Sequence, residues 1–163
     1  MTSNSCKFLQ LISSFQLPHV VPIHFSEKRN YQFSVKDILD WEEKHGIIAE
    51  NSIVLIDTGS SKFWPNRKEY MGTDERGQEG VKKLKFPGIH PEAAKFLATK
   101  RKIKAVGLDT PSIDFGGSKL FKTHQILSEK NIPGIENVAN LNGFRLTLMI
   151  ESGASNLIER SWY

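Results

Sequence analysis

The twelve residues 53–64, IVLIDTGSSKFW, decide how the rest of the chain is read. The apolar run 53–56 has the length of a strand and is bounded by Asn51 on one side and Thr58-Gly59 on the other. An uninterrupted apolar run of this kind suits a strand covered on both faces. Upstream, Ser34 opens a helix as N-cap, with Asp37 three residues on in the reciprocal capping position. Val35, Ile38 and Leu39 share one face of that helix, and Gly46 stops it after Lys44 and His45. Further back, LPHVVPIHF at 17–25 reads as a strand that Pro18 and Pro22 confine to an edge. Downstream, Pro91 suits the first position of a helix carried by Ala93, Ala94, Phe96, Leu97 and Ala98 as far as Lys100. IKAVGL at 103–108 is the next strand, followed by a turn at Thr110-Pro111, a short helix over 121–130 and an apolar segment over 132–141. Helix and strand alternate, which predicts an α/β fold with a parallel or mixed sheet. Chemistry in such sheets gathers at the carboxyl ends of the strands, where Asp57 and Asp109 stand. Residues 59–88 read as a single long loop, too long for a bare connection and therefore either functional or partly mobile.

Composition sets the outer limits. With 163 residues, 39% hydrophobic and 25% charged, the chain is expected to be one globular domain and is not of the disordered class. It contains no apolar run long enough to span a membrane. The net charge of +4 comes from basic residues interleaved with acidic ones. The denser groups Lys82, Lys83, Lys85 and Lys100, Arg101, Lys102, Lys104 read as solvated faces, so neither nucleic acid nor membrane is expected as a partner. A single cysteine, Cys6, allows no internal disulfide and no thiolate zinc cluster, which fits a reducing, cytoplasmic location. The N-terminal apolar stretch is broken by Gln10, Ser13, Ser14 and Gln16 and does not read as a signal peptide.

Two local patterns compete for the chemistry. Asp57-Thr58-Gly59-Ser60-Ser61 resembles the active-site loop of pepsin-like aspartic peptidases, and Asp109-Thr110 supplies a second Asp-Thr. Such a peptidase needs two carboxylates sharing a proton, each on a tight glycine turn. Pro111 stands where the second turn wants glycine, and the chain is too short for two lobes, so this is the weakest reading. Neither a P-loop, nor G-x-G-x-x-G after a strand, nor a G-x-S-x-G elbow is present. The other pattern gathers Asp109, Ser112, Asp114, His124 and Glu136 around two strand ends and one helix. A histidine on a helix and a glutamate on the next strand can converge, and imidazole with carboxylate is a usual ligand set for Zn or Mn. Spacing alone equally allows a helix-lining histidine and a solvated glutamate. His90 reads as a helix N-terminal residue and His45 as a solvated helix end.

Five blocks in order give a more specific signal: VKDILDWEEKHG at 35–46, KFWPNRKEYMGTD at 62–74, FPGIHPEAAKFLA at 86–98, VGLDTPSID at 106–114, and His124 with IENVANL at 135–141. Together they closely resemble the cyclase-like metal-dependent hydrolases, a family that includes kynurenine formamidase (arylformamidase) and isatin hydrolase. KFWP and LDTPS look nearest the isatin-hydrolase-like branch. The resemblance divides the chain into a divergent N-terminal segment 1–30, a cyclase-like domain 31–142 and a divergent C-terminal tail 143–163.

The resemblance implies a swivelling β/β/α domain, expected here to be incomplete at both ends, usually dimeric, and holding one or two divalent metals such as Zn or Mn. A metal-activated water would then attack an amide or formamide carbonyl of a small aromatic substrate, as in tryptophan catabolism. His124 and Glu136, twelve residues apart, match the family's later ligand pair. The family's early H-x-x-x-H-x-D motif is absent, and the nearest fragment is HVVPIHFSE at 19–27. Its Pro22-Ile23-His24-Phe25 resembles the P-x-H-F in which the family's histidine does acid/base work, so His24 is a catalytic candidate; the alternative makes it a strand residue without a chemical role. Phe63 and Trp64, with Tyr70, are candidates to wall an aromatic substrate or to pack their own loop. Asp109 and Ser112 are candidates for a substrate or supporting role, against a turn-stabilising alternative. The competing functional expectation is a non-catalytic family member that folds or dimerises without chemistry.

Overall fold

The computed structural model describes residues 19–22 and 29–141. Among these residues four strands make the main sheet: β1 (His19–Pro22), β3 (Ile53–Asp57), β5 (Ala105–Leu108) and β6 (Gly134–Ile135), all parallel and in the order β1-β3-β5-β6. A second, two-stranded parallel sheet pairs β2 (Gln32–Phe33) with β4 (Gly88–Ile89). The helices are α1 (Val35–His45), α2 (Arg67–Met71), α3 (Gly77–Val81), α4 (Pro91–Phe96) and α5 (Lys122–Ser128). The expected α/β alternation is present, and among the described residues β1 lies at the sheet edge, as Pro22 favours.

The central strand is buried on both faces, as its apolar run requires. Val54 and Ile56 are fully buried on one face, and Leu55 is nearly so on the other. Its register against β5 sets Ile56 opposite Leu108, so Asp57 and Asp109 leave the sheet side by side at the carboxyl ends. Val106, Leu108, Ile38, Ile89 and Leu97 join Val54 and Ile56 in one core.

α1 has the capping box its sequence announces. The Ser34 hydroxyl accepts from Asp37 N–H, and the Asp37 carboxylate accepts from Ser34 N–H at 2.7 Å. Tyr31 adds a phenol donating to the same carboxylate at 2.7 Å, and burial followed by the Asp37 contact pushes its pKa up to about 12. At the other end, the nearly buried Glu42 accepts from Arg101 at 2.5 and 2.6 Å and from Ile48 N–H at 2.9 Å. The hydrogen bond from Arg101 is the main cause holding the Glu42 carboxyl below its ordinary range, and it ties α1 to the turn beyond α4.

Two expectations need correction. Residues 59–88 are not one loop: they hold a 3-10 turn (Ser60–Phe63) as well as α2 and α3. Five-residue helices are too short to display a hydrophobic period, although Asn66, which accepts from Glu69 N–H at 3.2 Å, is a readable N-cap. The helix expected to run evenly from Pro91 to Lys100 is regular only as α4 and widens into a π turn over Leu97–Arg101.

Gly88 fixes where the site segment lies. A Cβ added there would stand 2.1 Å from the backbone nitrogen of Phe115 and 2.4 Å from the carbonyl carbon of Asp114. Only glycine lets β4 and the segment after β5 pass this closely.

Candidate functional site

Three connections leave the carboxyl ends of β3, β5 and β6 together. From β3, the Asp-Thr-Gly-Ser-Ser segment turns back through Gly59 in the left-handed region (φ 70). From β5 comes the turn Asp109–Asp114, and from β6 the segment Glu136–Asn140, hydrogen-bonded to it through Asn137 N–H to Thr110 O (2.9 Å) and Val138 N–H to Leu108 O (3.0 Å).

Asp109 is completely buried. One carboxylate oxygen accepts from Thr58 N–H at 2.8 Å and from the Thr58 hydroxyl at 2.7 Å. The other accepts from Ser61 N–H at 2.9 Å. The side chain thus fastens the loop after β3. Ser112 also serves its own turn: its hydroxyl accepts from Asp114 N–H at 3.3 Å, and its carbonyl accepts from the Thr110 hydroxyl at 2.8 Å.

A cleft of about 690 Å³ opens beside these turns, lined by Ser61, Lys62, Trp64, Tyr70, Asp109 and residues 137–140. Trp64, 69% exposed, meets Tyr70 edge to face with ring centroids 5.7 Å apart. Tyr70 is buried, and its one hydroxyl proton is shared between Asp109 O at 3.1 Å and Asn137 Oδ1 at 2.9 Å. Burial, then the charges of Asp109 and Glu136, push its pKa up to about 12, so the phenol is a donor at neutral pH. Phe63 does not line this cleft; its ring lies under Lys62 Nζ at 5.0 Å and Arg29 at 5.8 Å.

His124 and Glu136 converge as the alternation of helix and strand allows. His124 lies in the first turn of α5 and Glu136 directly follows β6, with Nε2 and Oε1 3.2 Å apart. The other imidazole nitrogen, Nδ1, is 2.6 Å from Asp114 Oδ2. Glu136 Oε1 also accepts from Ile113 N–H at 3.1 Å, which holds the carboxylate in place. An imidazole nitrogen and a carboxylate oxygen facing each other fit a divalent cation as two of its ligands. Among the described residues, no group of three His, Cys, Asp or Glu is gathered to hold a metal ion. His24 lies outside the described residues. His90 is the N-cap of α4, its Nδ1 accepting from Glu92 N–H at 3.2 Å, and His45 stacks on Trp41 at 4.8 Å.

The sequence pattern places Asp114 in the cluster around the strand ends without a role of its own and does not single out Asn137. The signal for Asn137 was its place directly after Glu136, in the segment that follows β6. No helix among the described residues is long and apolar enough to cross a membrane.

The chain matches the Cyclase family over residues 10–115, more than half of its length. Among solved structures it is similar to isatin hydrolase A from Labrenzia aggregata bound to benzyl benzoate, with 29% identity and a TM-score of 0.65, over 76% of this chain and 48% of that one. It is also similar to an isatin hydrolase bound to the product analogue thioisatinate, with 25% identity and a TM-score of 0.66, over 77% and 48% of the two chains. Isatin hydrolase A from Ralstonia solanacearum shares the fold at 21% identity and a TM-score of 0.62, over 75% and 48%. The chain therefore spans about half the length of these structures. No curated protein sequence matches it.

Proposed function

The chain belongs to the Cyclase family, and from that premise we propose a metal-dependent hydrolase that opens an amide or formamide bond next to an aromatic ring, of the isatin hydrolase or arylformamidase type. The observation that carries this reading is the convergence of His124 Nε2 and Glu136 Oε1, with Glu136 immediately preceding the segment 137–140 that lines the cleft. His124 and Glu136 would hold a divalent ion such as Zn or Mn, with remaining ligands from outside this pair. When bound, the ion supplies a water made acidic enough to attack a carbonyl near neutral pH.

The chain's own residues do the rest. Trp64 and Tyr70 offer two edges of an aromatic wall against which a planar ring can lie. Tyr70, protonated at neutral pH, holds Asp109 O and Asn137 Oδ1 together and so keeps the connections after β5 and β6 in register. Asp109, anchoring Thr58 and Ser61, keeps the loop after β3 from filling the cleft. His24 remains a candidate for proton transfer, and a homodimer is the assembly expected from the family resemblance.

A second reading is favoured by one observation: only two ligand-type side chains converge here among the described residues, whereas a catalytic site normally takes three protein ligands. In that case the chain is a non-catalytic family member serving as a folding or dimerisation module. Elemental analysis of the purified, desalted chain separates the two. About one Zn or Mn per chain, lost in His124→Ala, with chelator-sensitive hydrolysis of N-formylkynurenine or isatin, supports the hydrolase. A folded chain without metal and without hydrolysis supports the module.

A further inference from the structure

We propose that Asp114 is a positioning residue that fixes the tautomer of His124, keeping the proton on Nδ1 and turning the Nε2 lone pair toward Glu136. The inference deepens the hydrolase reading and rests on it for its consequence, but not for its geometry.

α5 begins in an unusual way. Its N-cap position is Phe121, in the left-handed region (φ 48), with no side chain able to accept from the first-turn amides. Asp114, from the turn after β5, does so from a distance. Its Oδ1 accepts from Thr123 N–H at 3.2 Å and from the Ser118 hydroxyl at 3.3 Å, and its Oδ2 accepts from His124 N–H at 3.3 Å. The same Oδ2 lies 2.6 Å from His124 Nδ1. An ionised carboxylate has no proton to give, so the hydrogen of that contact sits on Nδ1. The Asp114 side chain is only 3% exposed.

Neither the ring nor its base can drift. The Thr123 hydroxyl donates to Ile89 O at 2.7 Å, pinning the first turn of α5 to β4, and Gly88 of β4 lies against Asp114 itself. With Nδ1 protonated, Nε2 presents a lone pair to Glu136 Oε1 at 3.2 Å. Two acceptors facing at that distance make a seat for a positive charge. The opposite tautomer would place a hydrogen there and close the seat. A carboxylate behind a ligating imidazole sets both tautomer and basicity, and losing it generally weakens metal binding about 10–100-fold.

The test uses the full chain without metal. Nitrogen-15 correlation spectra of the histidine rings, with His124→Gln to assign the signal, report which nitrogen carries the proton at a pH where the ring is neutral. The expected result is Nδ1–H in the wild type. Asp114→Asn presents an amide N–H₂ to Nδ1 when its oxygen keeps the cap, so the proton should move to Nε2 and Mn or Zn binding by the stripped chain should weaken about 10–100-fold. A wild-type spectrum with Nε2–H overturns the proposal without reference to any variant. An Asp114→Asn chain that is folded, keeps Nδ1–H and binds metal as before also overturns it, and leaves the hydrolase reading standing. A tautomer shift in Asp114→Asn, in a wild type that takes up no metal, supports the positioning role while the hydrolase reading fails.

Discussion

Asp109 and Asp114 stand five residues apart in the same turn after β5, both buried, and their carboxylates serve different ends. Asp109 accepts from two backbone amides and one hydroxyl of the loop after β3, a fastening across 48 to 51 residues of chain. Asp114 accepts from the first turn of α5 and from an imidazole whose other nitrogen faces Glu136. Burial and strand-end position are common to both, so neither marks function. What separates them is the far side of the donor: the amides and the hydroxyl that meet Asp109 lead only to Ser60 of the same loop, whereas an imidazole passes the contact on to a second carboxylate.

The largest effect that would sharpen this contrast is Asp109→Ala. It removes the acceptor of the buried Thr58 N–H, of the partly buried Ser61 N–H and of the Thr58 hydroxyl, which keeps only Ser60 as a partner at 2.6 Å, and a loss of about 2–4 kcal/mol in unfolding free energy is expected by denaturant titration. A loss under about 1 kcal/mol would break the comparison, since Asp109 would then not be a fastening. Gly88→Ala should follow at about 1–3 kcal/mol, because the new methyl meets backbone that must move. It should also disturb the His124 ring signal, which Asp109→Ala reaches only indirectly; an unchanged His124 signal in folded Gly88→Ala would show that Asp114 does not depend on β4.

Tyr70→Phe removes the hydroxyl that links Asp109 O to Asn137 and should cost about 1 kcal/mol at neutral pH. Its alkaline signature is more telling. The Tyr70 pKa is raised from 10.0 to about 12, so folding favours the neutral phenol. The resulting stability is complete below pH 10 and is lost as pH climbs toward about 12, amounting to about 2–3 kcal/mol for this one group. Tyr31 titrates in the same window, so the check is the difference between wild type and Tyr70→Phe in phenolate absorbance and unfolding midpoint. The smallest effect is expected for Ser112→Ala, within about 1 kcal/mol, because its hydroxyl supplies a single contact of 3.3 Å, to Asp114 N–H two residues on. A larger loss, or a shift of the His124 signal, would move Ser112 to the Asp114 side of the comparison.

Local order was legible in the sequence wherever one element carries its own signal. Ser34 with Asp37 wrote the start of α1, and the apolar run 53–56 wrote a strand covered on both faces. The meeting of His124 and Glu136 was legible as a possibility, because strand–helix–strand topology returns both to one edge. Asp114 was not, since its role depends on α5 lacking a cap of its own and on β4 passing over Gly88, neither of which has a signature at residue 114. The fate of Asp109 was equally hidden: an aspartate after a strand looks the same whether it faces a ligand or the amides of a loop fifty residues earlier.

The parallel pairing of β3 with β5 also carries a consequence in time. The capping box of α1 closes within four residues and can form as soon as that segment exists. The register of β3 with β5, and the Asp109 bonds that follow it, require ends about fifty residues apart to meet first. Closing a loop of that size costs about 3.5 kcal/mol of chain entropy beyond a constant, before any sheet contact repays it. Refolding should therefore show early helix signal and late sheet formation, with the cleft and the His124–Glu136 pair assembling together in the last step.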